Sequence, residues 1–456
     1  MENIVTHYPA SLIEHYAKPV PRYTSYPTAP HFSEAVASAQ VKSWMAAIPD
    51  DEAISIYIHI PFCDRLCWFC GCHTKHTLKY EPVKKYLQTL YQEMRLTAQI
   101  IGRRQIIKHL HLGGGSPSLL KRDELVELES ALNDCFIIDS KTEISLEFDP
   151  TDLDSAAIEA FAEFGITRAS LGVQDFDPKV QESINRIQTF EQTKFVVDSF
   201  RNYGVGSLNI DALYGLPFQT LTTLEHTLEC VDALNPDRVA LFGYAHVPWV
   251  KPHQKFIPQD SLPDNVLRFG QARFAEQFFA RKGYAAIGID HFAKGSDSLA
   301  LAYKRRTARR NFQGYTADNC ETLIGFGVSS ISQYPQGYVQ NVKDTHSYKR
   351  AVESGCLPVK RGIQIKGLDA IYASAINELM CYSTLTPKAL RDNFGDDADL
   401  ILMRAERLAA EDEEGFFVKE ENIYRITERG KPFTRTIASA FDEYLKTNQT
   451  QYSVAV

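Results

Sequence analysis

No apolar run in the 456 residues approaches the roughly 18 consecutive apolar positions that a membrane-spanning helix needs. The opening stretch, MENIVTHYPASLIEHY, carries acidic residues and lacks an apolar h-region, so no secretory leader is expected. A basic excess is missing too: 49 Lys and Arg stand against 57 Asp and Glu, a net charge of −8. General binding to nucleic acid is therefore not expected, because that mode needs surface cations to displace counterions. No internal repeat is evident beyond an alternation of strand-like and helix-like segments. No heptads or large exposed apolar helix stand out, so a monomer is expected. With 44% apolar and 23% charged residues, the chain still has the material for a real core. A cytoplasmic globular protein fits these absences.

The cysteines are unevenly spread. Four of the nine lie within ten residues, Cys63, Cys67, Cys70 and Cys72, while Cys135, Cys230, Cys320, Cys356 and Cys381 are scattered. In a reducing compartment a tight cluster points to a metal site rather than a disulfide framework. The scattered five are expected to be small core residues.

A long middle stretch alternates short β-prone runs with longer charged segments. AISIYIHI (53–60), IIKHLHL (106–112), EISLEF (143–148), RASLGV (168–173), SLNIDALYG (207–215) and DRVALFGYA (237–245) are the strands, and YAAIGIDHF (284–292) adds a possible further one. Strand, helix, strand, repeated about six times, predicts a parallel sheet wrapped by helices, with function at the C-terminal strand ends. After residue 360 the texture reads helix, helix, β-hairpin, helix, like a small winged-helix module, for which a lid or packing role is expected. The first 50 residues, with PRYTSYPTAP at 21–30, read as an extended arm. The expected division is an arm over 1–50, a barrel over 51–355 and a mostly helical C-terminal module over 356–456.

In YIHIPFCDRLCWFCGC, Cys63, Cys67 and Cys70 follow a strand with three and then two residues between them. Zinc prefers four closed ligands from paired units, and no second cysteine pair exists here, although His73 and His76 lie near. Iron–sulfur clusters also take closely spaced thiolates; three would leave one iron open. HLHLGGGSPS sets three glycines after a strand, where backbone can approach a ligand closely. Glu147 and Asp149 end one strand, Gln174 and Arg186 follow the next, and Asp211 sits inside a mainly apolar strand, where an unpaired charge is costly.

CDRLCWFC, with Phe69 before the third cysteine, resembles the cluster loop of the radical S-adenosylmethionine (SAM) enzymes. That resemblance implies a partial (β/α)6 TIM-like barrel and a [4Fe–4S] cluster on Cys63, Cys67 and Cys70. The fourth iron would chelate SAM, and reductive cleavage would give a 5′-deoxyadenosyl radical. A fourth cysteine ligand would block that iron, so Cys72 is expected either to pack near the cluster or to act without ligating it. PRYTSYPTAP, GGGSPS, EFDP, LGVQDF, NIDALYGLP, YAHVP, RRNFQGYT and GFGVSSIS, in that order, resemble the oxygen-independent coproporphyrinogen III oxidases within this superfamily. By that resemblance Tyr57, Gly114, Glu147 and Ile331 contact the cluster-bound SAM. Phe69, Gly115, Ser116, Gln174, Arg186, Asp211 and Ala245 contact a second. Ser116 stands where the family usually has Thr, and Leu112 where it often has Trp. The implied reaction decarboxylates two propionates of coproporphyrinogen III to vinyl groups, giving protoporphyrinogen IX, with a low-potential electron donor. A haem chaperone or a haem-modifying enzyme of the same superfamily is the alternative.

Hydrogen abstraction by a radical requires a clamped substrate, and arginine suits carboxylates through bidentate pairing. Arg22, Arg309 and Arg310 are the expected clamp; a solvated helix face is the alternative for the arginine run. The aromatic arm is expected to fold over the barrel mouth.

Overall fold

The structure, a computed structural model, describes residues 8–445 and 452–455. Six parallel strands form its centre: β1 (Ile54–Ile60), β2 (Ile107–Gly114), β3 (Glu143–Phe148), β4 (Arg168–Gln174), β5 (Ser207–Tyr214) and β6 (Arg238–Gly243). Helices cross between them: α1 (Glu81–Ile101), α2 (Arg122–Cys135), α3 (Ser155–Glu163), α4 (Phe190–Asn202) and α5 (Leu221–Ala233), with α6 (Asn265–Arg281) after β6. All six strands read from the sequence are present, in sequential order. Parallel neighbours need such crossovers, and each helix hides an apolar stripe against the sheet.

The sheet goes further than the sequence suggested. YAAIGIDHF gives a short antiparallel pair rather than one strand, β7 (Ala285–Ile287) and β8 (His291–Ala293), with β8 on the outer edge of β6. On the other side β9 (Leu323–Phe326) runs parallel to β1. Beyond it lies an antiparallel meander of β10 (Ile331–Tyr334), β11 (Gly337–Asn341) and β12 (Val359–Gln364). The order across the twelve-stranded sheet is β12-β11-β10-β9-β1-β2-β3-β4-β5-β6-β8-β7.

Successive side chains on a strand face opposite ways. In β3, Ile144, Leu146 and Phe148 are buried, while Glu143, Ser145 and Glu147 take the other face. The same two-residue period puts Tyr57 with His59, His109 with His111, and Asn209 with Asp211. Parallel register aligns these polar positions across the sheet. Tyr57, His111 and Ser145 share one row, and Glu147, Ser170 and Asn209 another.

A second core joins the two ends of the chain. Helices Asp369–Tyr382, Pro387–Phe394 and Ala398–Glu411, the hairpin Phe417–Glu420/Ile423–Ile426 and helix Thr434–Ala438 build the expected winged-helix-like module. Tyr8, Ile13, Tyr23 and Tyr26 of the arm are buried in its apolar cluster with Tyr372, Phe416, Phe433 and Phe441. Tyr23 donates to Asp442 (3.1 Å), and Arg435 donates to the Val20 carbonyl (2.5 Å). Burying each such aromatic or Ile side chain is worth about 1.5–3 kcal/mol, so the arm is an integral strap. Among the described residues no helix is long and apolar enough to cross a membrane.

Candidate active site

The cysteine loop lies directly after β1, at the C-terminal mouth of the barrel, and neighbouring elements hold its backbone. Trp68 N–H donates to the Ile184 carbonyl (2.9 Å) and Asn185 Nδ2 to the Leu66 carbonyl (2.8 Å). Gln254 donates to the carbonyls of both Phe69 (3.1 Å) and Ala245 (3.2 Å), His253 pairs with the Cys70 carbonyl (2.8 Å), and Lys251 donates to the Cys72 carbonyl (2.8 Å). Phe69 and Trp68 pack against Val180, Ile184, Leu216 and Tyr244. The loop is thereby fixed without its sulfurs.

Cys63, Cys67 and Cys70 are free, half-buried thiols. Burial first, and then the neighbouring Cys70 and Cys67 charges, pushes the Cys63 thiol well up. Burial also raises Cys67 against the pull of Arg186, whose Nη1 is 3.7 Å from its sulfur. Cys70 is shifted down instead, by bonds from the Cys72 thiol and from the Cys72 N–H (3.3 Å). Three crowded thiolates need positive charge at their centre, which an iron cluster brings. Among the described residues no three His, Cys, Asp or Glu side chains converge as one ion would need. A cube gives each thiolate its own iron, so the three sulfurs fit a cluster better than mononuclear zinc.

Beside the loop, Tyr57 stacks on His111 (centroids 5.8 Å apart), and His111 Nε2 lies 3.3 Å from Glu147, which also accepts from Gly114 N–H (2.9 Å). Burial raises the Glu147 carboxyl, but the bonds from His111 and Gly114 outweigh it, so the group titrates below its ordinary value. Its side chain is 42% exposed, an anion open to the mouth. His59 faces a carbonyl, that of His73, through Nε2 (2.9 Å), so Nε2 carries the proton and Nδ1 accepts from Tyr57 Oη (3.0 Å). Burial pushes His59 down to about 4, so the ring is neutral. Ile331 reaches this group through its backbone: it crosses over Gly325, the register partner of Tyr57.

A second group surrounds Arg186. It donates to Asp149 (2.5 Å), to the Gly172 carbonyl (2.7 Å) and to Gln188 (3.2 Å). Arg65 also reaches Asp149 (3.3 Å). Gln174, at positive φ (69°), sits with Arg186 against Gly172. Asp211 accepts from Ser170 (2.8 Å) and Asn209 (2.8 Å), and burial pushes it up to about 6. Gly115 N–H and Ser116 N–H bond to the carbonyls of Ile60 (2.7 Å) and Phe62 (2.7 Å), tying the glycine run to the exit of β1. The Ser116 hydroxyl is bonded to Asp152 (2.7 Å) and Ser118 (2.6 Å). The glycines are sterically required: a Cβ on Gly114 would lie 2.4 Å from the His59 ring, and one on Gly115 2.5 Å from the Phe62 carbonyl.

The residues expected to hold the cluster and SAM thus gather at the C-terminal side of the barrel, linked through neighbours rather than all touching one another, whereas of the expected clamp Arg22 and Arg310 lie past β6 and Arg309 pairs with Glu321 (2.8 Å). The sequence reading passed over His59, His111, Asp152 and Arg65. For the two histidines a signal existed: polar residues recurring every second position in otherwise apolar strands.

A radical SAM superfamily model matches residues 57–231. The oxygen-independent coproporphyrinogen III oxidase of Paracoccus denitrificans is 43% identical over 425 residues, covering 93% of this chain and 94% of that protein. The enzyme of the same name from Bradyrhizobium diazoefficiens is 40% identical over 437 residues, 96% and 97% of the two chains. Among solved structures, the Escherichia coli coproporphyrinogen III oxidase, described as a radical SAM enzyme, matches 94% of this chain and 100% of that one, with a TM-score of 0.88 and 34% identity. The barrel, its thiol loop and these matches define a radical SAM enzyme, a class built on a [4Fe–4S] cluster and SAM. Within that class the chain belongs to the oxygen-independent coproporphyrinogen III oxidase family, and it is an oxidoreductase.

Proposed function

We propose that this chain oxidatively decarboxylates two propionates of coproporphyrinogen III to vinyl groups, giving protoporphyrinogen IX without oxygen. One observation carries the reading: relatives of that name match this chain at 40–43% identity almost end to end, strap and C-terminal module included. When bound, the reduced cluster and SAM supply the radical that removes a hydrogen from the propionate β-carbon. The chain's own residues bind and orient. Cys63, Cys67 and Cys70 would hold the cluster, and Cys72, which donates hydrogen bonds to Cys70, would support that thiolate rather than add a fourth ligand. Tyr57, Gly114, Glu147 and Ile331 would hold the SAM beside the cluster, with the Glu147 anion suited to an ammonium or a ribose hydroxyl.

A second SAM is part of this proposal, held by Phe69, Gly115, Ser116, Gln174, Arg186, Asp211 and Ala245. The Arg186–Gly172–Gln174 group and the Gln254 bridge between Phe69 and Ala245 support it, because they assemble a second polar wall distinct from the Tyr57–Glu147 row. An external low-potential donor supplies the electron that SAM cleavage takes up, the electron left on the substrate when CO2 departs passes to an external acceptor, and the arm (1–50), barrel (51–355) and C-terminal module (356–456) work as strap, reactor and cover. Anaerobic incubation with reductant, SAM and coproporphyrinogen III, followed by mass analysis, tests the reaction: loss of CO2 and two hydrogens from each of two side chains is expected. Unchanged substrate with a fully loaded cluster refutes it. Equilibrium dialysis with labelled SAM gives the stoichiometry, two per cluster-loaded chain.

A further inference from the structure

A basic chamber lies past β6, and of the residues assigned to SAM only Ala245 lines it. Its volume is about 320 Å3, at the low end of the ~300–1,000 Å3 typical of small-molecule sites, and the barrel, the strap and the C-terminal module together enclose it. Leu241, Phe242, Tyr244, Trp249, Phe269 and Ile289 supply the apolar part of its mixed wall. Five guanidiniums line it: Arg22 from the strap, Arg268 and Arg273 from α6, Arg310 from the hairpin strand Arg309–Asn311, and Arg435 from helix Thr434–Ala438.

The ion pairing is lopsided. Arg310 is paired with Asp290 (3.3 Å), which also holds His291 (2.6 Å). Two further lining cations are neutralised, Arg273 by Glu276 and Lys431 by Glu428 (2.6 Å). Arg22, Arg268 and Arg435 meet only neutral carbonyls: Arg22 that of Gly243 (3.2 Å), Arg268 that of Tyr244 (2.7 Å), and Arg435 those of Val20 (2.5 Å), Pro21 (3.3 Å) and Val454 (3.2 Å). Among the described residues none of these three forms an ion pair of its own; the acid that acts on Arg22 and Arg435 across the chamber is Asp290, which is already paired with Arg310. Arg268 Nε is buried without any hydrogen-bond partner, and Arg435 is only 8% exposed. Guanidiniums as buried as Arg435 and Arg268 Nε, held by carbonyls at best, are costly unless something that visits the site neutralises them. A ligand matching this chamber has a broad apolar body and several carboxylates.

We propose that Arg22, Arg268 and Arg435 form the carboxylate-binding end of the substrate site, receiving propionates of a polycarboxylate tetrapyrrole while Arg310, locked by Asp290, serves as a fixed wall. This rests on the function proposed above and adds to it a basis for selectivity. The substrate brings four carboxylates and the product two, so conversion weakens the ligand's hold on an unneutralised basic chamber and favours product release. Arg309, which the sequence put in the clamp, instead pairs with Glu321 (2.8 Å) and does not line the chamber.

The test is binding rather than turnover. Full-length, cluster-loaded protein is kept oxidised, without reductant, and titrated by fluorescence with coproporphyrin III, its tetramethyl ester and protoporphyrin IX. Coproporphyrin III is expected to bind at least tenfold more tightly than the ester, with protoporphyrin IX between them. Arg22→Gln, Arg268→Gln and Arg435→Gln each weaken coproporphyrin III about 10- to 100-fold and leave the ester almost unchanged, as loss of one charge-assisted hydrogen-bonding partner implies. Arg268→Lys recovers part of the loss, and Arg305→Gln, on the exposed surface, changes nothing. Equal binding of acid and ester by the unmodified protein overturns the proposal, as does parent-like affinity in the three Gln variants. Arg22→Gln, at an exposed position, decides alone if the buried sites do not tolerate change. If the parent converts coproporphyrinogen III yet binding ignores the arginines, only the chamber assignment fails. If it converts none but binds polycarboxylates through these arginines, the reaction assignment fails and the chamber stands.

Discussion

Removing Arg186 tests whether the mouth is held together by a buried ion pair. The Arg186 and Asp149 side chains are 9% and 10% exposed and 2.5 Å apart, and Arg186 also satisfies the Gly172 carbonyl at 2.7 Å. Taking one partner from a buried pair costs about 3–5 kcal/mol, because the other charge is stranded. Here Asp149 keeps Arg65 at 3.3 Å and the N–H of Thr151 at 3.0 Å, which sets the loss near the lower end. The orphaned Gly172 carbonyl adds about 1 kcal/mol, so Arg186→Met is expected to cost about 3–4 kcal/mol. At an unfolding entropy of roughly 2.1 cal/mol/K per residue, this large chain loses only about 4 °C in Tm, so anaerobic urea titration is the better assay. Neutralising the stranded acid is the informative step: Asp149→Asn made in the Arg186→Met background should recover about 1–2 kcal/mol, although alone it destabilises. Additive losses in this double-mutant cycle, or an Arg186→Met enzyme as stable as the parent, would refute the argument.

Three further outcomes follow from the same geometry. Serine at Cys63, Cys67 or Cys70 should abolish the brown chromophore and lower iron and sulfide on anaerobic reconstitution, whereas Cys72→Ala, which keeps the N–H bonded to Cys70, should retain them; iron loss equal to that of the other three would make Cys72 a ligand. Gly114→Ala combines positive φ (113°) with a Cβ 2.4 Å from a His59 ring fixed at both nitrogens, and is expected to cost about 2–4 kcal/mol, while Gly71→Ala in the cysteine loop, with nothing within 4 Å, should stay within about 0.5 kcal/mol by urea melts. Burial pushes Glu93 up to about 7 from its ordinary 4.5, against bonds from Tyr348 (2.6 Å), Gly327 N–H (2.8 Å) and Asn341 (2.7 Å). The folded state then holds the proton that the unfolded state releases, so stability falls by about 3 kcal/mol as pH rises from about 4.5 to 7. Glu93→Gln should flatten that dependence, and an unchanged slope in melts across this range would count against the buried acid.

What could be read from the sequence was whatever repeats locally. Six strands and their crossover helices announce themselves through apolar period and length, and a strand's C-terminal end is where side chains can face a ligand, so Glu147 and Gln174 could be placed at a mouth before any coordinates, while Asp211 stood out as a costly charge inside an apolar strand. The meander β10–β12 escaped because its strands are four to six residues long and rich in Ser, Gln, Tyr and Gly, with no face of continuous apolar character. The basic chamber escaped for a different reason. The arm marks Arg22 for a clamp, but Arg268 and Arg435 lie far from it in the sequence and each alone looks like an ordinary surface cation; only folding brings the three together, with none of them, among the described residues, in an ion pair of its own. The strap explains how such a chamber forms. Tyr8, Ile13, Tyr23 and Tyr26 anchor it in the C-terminal core, which positions Arg22 above the Gly243 carbonyl and brings Val20 and Pro21 against Arg435. One apolar docking event therefore both closes the chamber and gathers like charges, a conflict that burial of the strap's aromatics can sustain and that a polycarboxylate would relieve.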